Sequence, residues 1–325
     1  MTEGTVLVTG GGGFIGSHVC ESLLRDGRHV VCLDNFTSGA RHNVTTFDDQ
    51  EAFTLAAGDV RTPLSETLTK TDVDPDEISQ IYHLASRASP TDFETHPVDI
   101  ATTNSVGTLN VLRLADEVDA RVLLASTSEV YGKPQEHPQH ESYNGNVDPR
   151  GPRACYDESK RFAESLGVAF SDAHGVDVRT ARLFNTYGPR MRADDGRVVP
   201  TFVVQALQGE PLSVYGDGTQ TRSFLYVTDL VRGLKRLMAA PNMAGTVLNF
   251  GSTDEITINE LAGRVLTLLD RDLDIVHEPL PEGDPTRRKP DVSSARARLD
   301  WSARVGLDEG LRRTIRWYEN RIDTP

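Results

Sequence analysis

The stretch Thr5-Val6-Leu7-Val8-Thr9-Gly10-Gly11-Gly12-Gly13-Phe14-Ile15-Gly16 joins an apolar run to a glycine cluster and then to a helical pattern over Phe14 to Arg25. A short, continuously apolar run stopped by glycine is the signature of a strand covered on both faces. Gly10, Gly13 and Gly16 stand three residues apart, between the strand and the helix. In that position glycines allow a tight turn and close backbone approach to a pyrophosphate, whose charge is stabilised by the positive helix N-terminus. The stretch therefore predicts a dinucleotide site at the head of a doubly wound fold.

Working outward, further apolar runs occur at Val30-Val31-Cys32-Leu33, Ile81-Tyr82-His83-Leu84-Ala85 and Arg121-Val122-Leu123-Leu124-Ala125. They alternate with helical patterns over Thr103 to Asp119 and Tyr156 to His174. Strand and helix in alternation imply an α/β, Rossmann-type parallel sheet. After about residue 180 the texture shifts to short strands with Gly and Pro punctuation, as in Tyr187-Gly188-Pro189 and Tyr215-Gly216-Asp217-Gly218. The expected organisation is a dinucleotide domain over 1–180, with a return segment near 222–250, and a smaller, mostly substrate-binding domain over 181–325. The stretch Glu278 to Pro290, rich in Pro, acid and then base, has the composition of a linker or a covering loop.

With 325 residues, 38% hydrophobic and 25% charged, the chain is an ordinary globular one. Its 34 Lys+Arg against 48 Asp+Glu give a formal charge of -14, which argues against nucleic acid as a partner. Only 5 of the cations are Lys, an acidic, Lys-poor balance that suits a salty cytoplasm and equally a GC-rich genome. No signal peptide or membrane span is expected. Three cysteines, Cys20, Cys32 and Cys155, with no CxxC pair, argue against a disulfide framework or a structural metal and fit a reducing, cytoplasmic setting.

Asp34 closes the second apolar run, where an acid accepts hydrogen bonds from both adenosine ribose hydroxyls and repels a 2'-phosphate; this favours NAD over NADP. The candidate cofactor contacts are Gly10, Gly13, Phe14, Ile15, Gly16, Asp34 and Asn35, with Asp59 and Val60 towards the adenine, Leu84 and Ala85 at the end of the run that starts at Ile81, and Tyr156 and Lys160. In Tyr156-Asp157-Glu158-Ser159-Lys160 the tyrosine and lysine share one helical face. A phenol titrating near pH ~10 needs cationic help to serve as a base near neutrality, and Lys160 with an oxidised nicotinamide would supply it.

At these residues the chain resembles the extended short-chain dehydrogenase/reductase family of nucleotide-sugar epimerases, dehydratases and decarboxylases. The likeness spans nearly the whole chain, through Thr9 to Gly16, His83-Leu84-Ala85, Thr127, Tyr156 with Lys160, Asn185 in Phe184-Asn185-Thr186-Tyr187-Gly188-Pro189, and Arg222-Ser223-Phe224 running to Asp229. Within the family, the segments 83–90, 124–132, 151–158 and 287–291 are similar to those of the UDP-glucuronate decarboxylase branch. Arg87 departs from it, standing where a proline is usual.

The resemblance implies a redox-neutral cycle on UDP-glucuronate. Tyr156 would take the 4-hydroxyl proton as NAD+ takes the C4 hydride, the carboxylate would leave as carbon dioxide, and hydride return would give UDP-xylose. Thr127 would hold the C4 oxygen. Glu129 would order a water or proton near C5, and Ser128 stands where related 4,6-dehydratases carry an acid. Arg288 would lie near the diphosphate and the glucuronate end, Arg222 on the diphosphate, Asn185 on diphosphate or sugar, Tyr215 on uracil and Val199 beside the base. A 4-epimerase acting on UDP-glucuronate, or another epimerase or 4,6-dehydratase, is the alternative. The resemblance further implies a homodimer, built on the helices near Thr103 to Asp119 and around Tyr156.

Overall fold

The computed structural model describes residues 4–280 and 287–322. Its central element is a seven-stranded sheet of β1 (Thr5–Thr9), β2 (Val30–Asp34), β3 (Phe53–Ala57), β4 (Ile78–His83), β5 (Arg121–Thr127), β6 (Val178–Leu183) and β7 (Val247–Phe250). The spatial order is β3-β2-β1-β4-β5-β6-β7, parallel throughout. From β1 the chain winds one way to β2 and β3 and the other way to β4, β5 and β6. The crevice where it reverses opens at the C-terminal ends of β1 and β4.

Helices cover both faces because the strands are apolar on both sides. On one face α1 (Phe14–Arg25) and α5 (Val227–Ala239) pack through Val19, Leu23, Leu230 and Leu234, in a core that continues into α4 (Val198–Gln208), α6 (Ile258–Leu269) and α7 (Leu307–Glu319). On the other face α2 (Thr108–Glu117) and α3 (Ala154–His174) contribute Val111, Leu112 and Ala163. α6 starts with a reciprocal cap: Thr257 accepts from Glu260 N and Glu260 accepts from Thr257 N.

The helix expected from Thr103 to Asp119 is split. Thr103–Gly107 is a π turn and regular α-helix begins at Thr108. Hydroxyls compete for the backbone there, Ser105 donating to Ala101 O at 2.6 Å and Thr108 to Asn104 O at 2.6 Å, while Asn104 donates to Ser159 on α3 at 3.0 Å. α3 begins at Ala154, one turn-fraction ahead of Tyr156.

Beyond the sheet, short strands build the remainder. Leu212–Tyr215 pairs with Ile275–Glu278, and Thr221–Ser223 lies between Glu255–Thr257 and Arg287–Arg288. Of the Glu278 to Pro290 stretch, residues 281–286 lie outside the described residues. Its far end pairs with Thr221–Arg222 and buries Arg288 to 3% exposure.

Candidate active site

A cavity of about 680 Å³ occupies the crevice. Gly10 has φ +72°, and a Cβ there would lie 2.7 Å from Ala85 N; a Cβ on Gly16 would lie 2.0 Å from Gly10 O. The loop closes on itself and on the strand-β4 exit so tightly that side chains have no room, which leaves backbone N–H groups at the head of α1 for an anion. Asp34 is buried; its Oδ2 accepts from Gly12 N at 2.9 Å and its Oδ1 from Phe36 N at 2.7 Å. Burial pushes its carboxyl up, and the N–H donors of Phe36, Gly12 and Gly13 oppose that. Gly10, Gly13, Phe14, Ile15, Gly16, Asp34, Asn35, Val60, Leu84 and Ala85 all line this cavity. A cradle of this shape, with an acid at the end of β2, fits a dinucleotide without a 2'-phosphate.

Asp59 is not among the lining residues. Its carboxylate accepts from Arg61 Nη2 at 2.7 Å and from Asn35 Nδ2 at 2.9 Å, and the Arg61 bond holds it at about 2. Sequence position could not show that Asp59 is already taken by a neighbour.

At the other end Tyr156 is buried, stacked on Phe93 with centroids 5.1 Å apart, and hydrogen-bonded to the Thr127 hydroxyl. Burial pushes its phenol up to about 12, against the Thr127 bond. Lys160 Nζ lies 6.0 Å from the Tyr156 ring centre and donates to Ala125 O at 2.9 Å. Burial lowers the ammonium to about 8. Behind them His83 bridges Thr9 at 2.8 Å and Thr108 at 3.1 Å, and burial keeps it neutral, at about 3.

Thr127 ends β5, and the turn after it presents Ser128 and Glu129. Glu129 is paired with Arg288 through Oε1 and with Arg153 Nη2 through Oε2 at 2.7 Å. Arg288 also donates to Gly132 O at 3.0 Å and sits 3.4 Å from Ser128 Oγ. Burial alone would raise the Glu129 carboxyl; the two guanidiniums outweigh it and hold it at about 2. Glu129 is thus a fixed anion at neutral pH. Asp157, buried on α3, is pushed up to about 7 by burial and by Glu129, against Arg153 and Arg288, and its Oδ1 has no hydrogen-bond partner among the described residues.

Asn185, Val199, Tyr215, Arg222 and Arg288 line the same cavity. Val199 is buried, Tyr215 is 50% exposed, and Arg222 is buried with Nη1 donating to Thr221 O at 2.9 Å. The cavity also takes in Phe93, Arg153, Arg190, Arg192 and Arg197. Of these only Arg153 had a signal in the sequence, standing one turn before Tyr156 in a segment already singled out. Phe93 and the 190–197 arginines arrive by packing alone.

The profile of the NAD dependent epimerase/dehydratase family matches residues 6–251. UDP-glucuronic acid decarboxylase 1 of Danio rerio is 48% identical over 318 residues, covering 98% of this chain and 73% of that protein. UDP-glucuronic acid decarboxylase 1 of Arabidopsis thaliana is 47% identical over 317 residues, covering 98% and 70%. The dTDP-glucose 4,6-dehydratase of Streptomyces venezuelae, solved with NAD bound, superposes with a TM-score of 0.87 at 30% identity, covering 98% of this chain and 97% of that one. With the glycine cradle, the acid at the end of β2 and the Tyr156–Lys160 helix converging on one crevice, this chain belongs to the NAD dependent epimerase/dehydratase family.

Proposed function

We propose that this protein decarboxylates UDP-glucuronate to UDP-xylose through a 4-keto sugar, with no net redox change. The observation that carries the reading is Glu129, two positions after Thr127 and ionised between Arg153 and Arg288 at the Tyr156 end of the cavity. The relatives named as UDP-glucuronic acid decarboxylases, nearly half identical along 98% of the chain, support it.

NAD, held by the glycine loop and Asp34, would accept the C4 hydride and, once reduced, give it back, and its oxidised ring would favour the Tyr156 phenolate. Tyr156 takes the 4-hydroxyl proton and returns it at the end of the cycle. Thr127, bonded to that phenol, donates to the C4 oxygen and steadies the negative charge that gathers there as the C5–C6 bond breaks and carbon dioxide leaves. Protonation at C5 restores the saturated ring. Glu129, held as an anion between Arg153 and Arg288, orders the water that gives C5 its proton. Arg288 fixes Glu129 at the uronate end, and Ser128 leaves room where a dehydratase acid would sit.

Asn185 and Arg222 are the proposed donors to the sugar nucleotide's diphosphate, Tyr215 stacks on uracil and Val199 lies beside the base. Residues 1–180, with the return near 222–250, hold the dinucleotide, and 181–325 mostly hold the nucleotide sugar. The partner is a second copy, supported by apolar side chains left exposed at Val98, Val106, Phe162 and Val168 on and around α3 and the segment before α2. The setting we propose is the cytoplasm. All three cysteines are free, and no helix among the described residues is long and apolar enough to cross a membrane.

Incubation of the purified protein with UDP-glucuronate, with and without NAD+, tests the reading by mass spectrometry and proton NMR. UDP-xylose with loss of carbon dioxide is expected; an isomer of unchanged mass would replace the decarboxylase with a 4-epimerase.

A further inference from the structure

A second cavity, of about 460 Å³, lies between Thr37–Ala40 on one side and Arg87, Asp92, His96 and Arg192 on the other. The Thr37–Ala40 wall is fastened to the glycine loop. Ala40 N and Asn43 Nδ2 both donate to Gly12 O at 3.0 Å, and a Cβ on Gly39 would come within 3.0 Å of Gly13 N. This wall is therefore the outer side of the turn that presents backbone donors at the head of α1. Arg87, two residues past Ala85 at the exit of β4, faces it, and the two cavities share Thr37, Ser38, Arg87, Asp92 and Arg192.

Arg87 has 13% of its side chain exposed, yet among the described residues its guanidinium makes no hydrogen bond. Its one ion pair there is Nη1 to Asp92 Oδ1 at 3.5 Å, longer than a formed charge-assisted bond. Asp92 is 6% exposed and its Oδ2 has no hydrogen-bond partner among the described residues. The other basic side chains near it are no closer: Arg192 Nη1 stands at 3.9 Å and His96 Nδ1 at 3.8 Å. Arg192 is already committed, Nε and Nη2 each reaching Asp194 at 2.9 Å. A largely desolvated arginine whose guanidinium makes no hydrogen bond among the described residues, facing the glycine turn, is matched by a planar or bidentate oxyanion.

We propose that Arg87 is an accessory diphosphate ligand: it leaves Asp92 and donates to the dinucleotide's diphosphate from the side opposite the glycine loop. Asp92 is a positioning residue that holds the guanidinium over the cavity and competes with the incoming anion. The nucleotide sugar carries a diphosphate too. The dinucleotide's is assigned because the cavity wall is fastened to Gly12, in the glycine loop at the head of α1 to which the dinucleotide reading gives that group. The inference rests on the dinucleotide reading of the glycine loop, which binding of ADP-ribose to the unsubstituted protein tests separately.

Titration calorimetry of the full chain with ADP-ribose and, in a second arm, with UDP decides the matter. Arg87→Gln is expected to weaken ADP-ribose binding about tenfold, as loss of a charged hydrogen-bond donor does, and to leave UDP binding unchanged. Arg87→Lys, which keeps the charge without the fork, should recover part of the loss. Asp92→Asn removes the competing carboxylate and should tighten ADP-ribose binding severalfold, an opposite sign that a misfolded variant would not produce. Unchanged ADP-ribose affinity in Arg87→Gln would overturn the proposal. So would a loss confined to UDP, which would move Arg87 to the sugar nucleotide, or weakening by Asp92→Asn, which would make the pair a structural brace.

Discussion

Glu129 and Arg288, 159 positions apart in the chain, are ion-paired at the Tyr156 end of the cavity, with Arg153 on the other carboxylate oxygen. Neither charge can be left alone there, because Arg288 is 3% exposed and the desolvation of one partner is offset only by the other.

Arg288→Met is accordingly expected to destabilise the fold by about 3 kcal/mol, the scale on which a buried pair loses one member. The double variant Glu129→Leu with Arg288→Met should cost less than the sum of the singles, since it removes both charges. Denaturant unfolding of the four proteins measures this. A cost near zero for Arg288→Met would mean that water screens the pair.

Tyr156→Phe keeps the stack on Phe93 and removes only the phenol that Thr127 touches. Turnover should fall by about 10²–10⁴, the usual span for a general base, while NAD affinity is retained. Single-turnover reduction of the nicotinamide together with NAD titration separates the two. Near-normal turnover would remove Tyr156 from the assigned role.

Asp157 gives a pH dependence whose sign follows from its position. An aspartate ordinarily titrates near ~3.9 in the unfolded chain, and burial with Glu129 nearby raises it to about 7 in the fold. Between those values the folded state holds the extra proton. Its contribution to stability is therefore complete below pH ~4 and is lost as pH rises through about 7. Asp157→Asn should flatten this decline, so the variant gains on the unsubstituted protein more at pH 8 than at pH 5. Thermal unfolding at both pH values measures it, and an equal shift at each would refute the assignment.

Phe162 is 50% exposed on the outer face of α3, with Val168 at 53% on the same helix. If a second copy covers this face, Phe162→Glu places a charge inside an apolar interface and should convert dimer to monomer. Sedimentation velocity reads the outcome directly, and a monomeric unsubstituted protein would end the dimer proposal.

The parts of the site legible in the amino-acid order are those set by local spacing. Gly10, Gly13 and Gly16 lie between a strand and a helix, Asp34 ends the next strand, and Tyr156 and Lys160 share a helix face. Backbone geometry forces each of these relations over a few residues, so they survive being read in one dimension. Of the seven strands, β1, β2, β4 and β5 follow from the same alternation of apolar runs, while β6 and β7 complete the edge from further along the chain. The π turn at Thr103–Gly107 was not legible, because it depends on Asn104 reaching Ser159 on a helix some fifty positions away.

What the tertiary structure alone decides is which charges meet and how dry they are. Glu129 in sequence is a carboxylate two places after a threonine; folded, it is an anion pinned by Arg153 and Arg288 at about 2. Asp59, equally plausible by position, is bonded to Arg61 and Asn35, and Arg87 faces the cavity with no hydrogen bond from its guanidinium among the described residues. The physical reason is that electrostatic energies depend on distance and local dielectric, which chain order does not encode until the sheet has brought the ends of β1, β4 and β5 to one crevice.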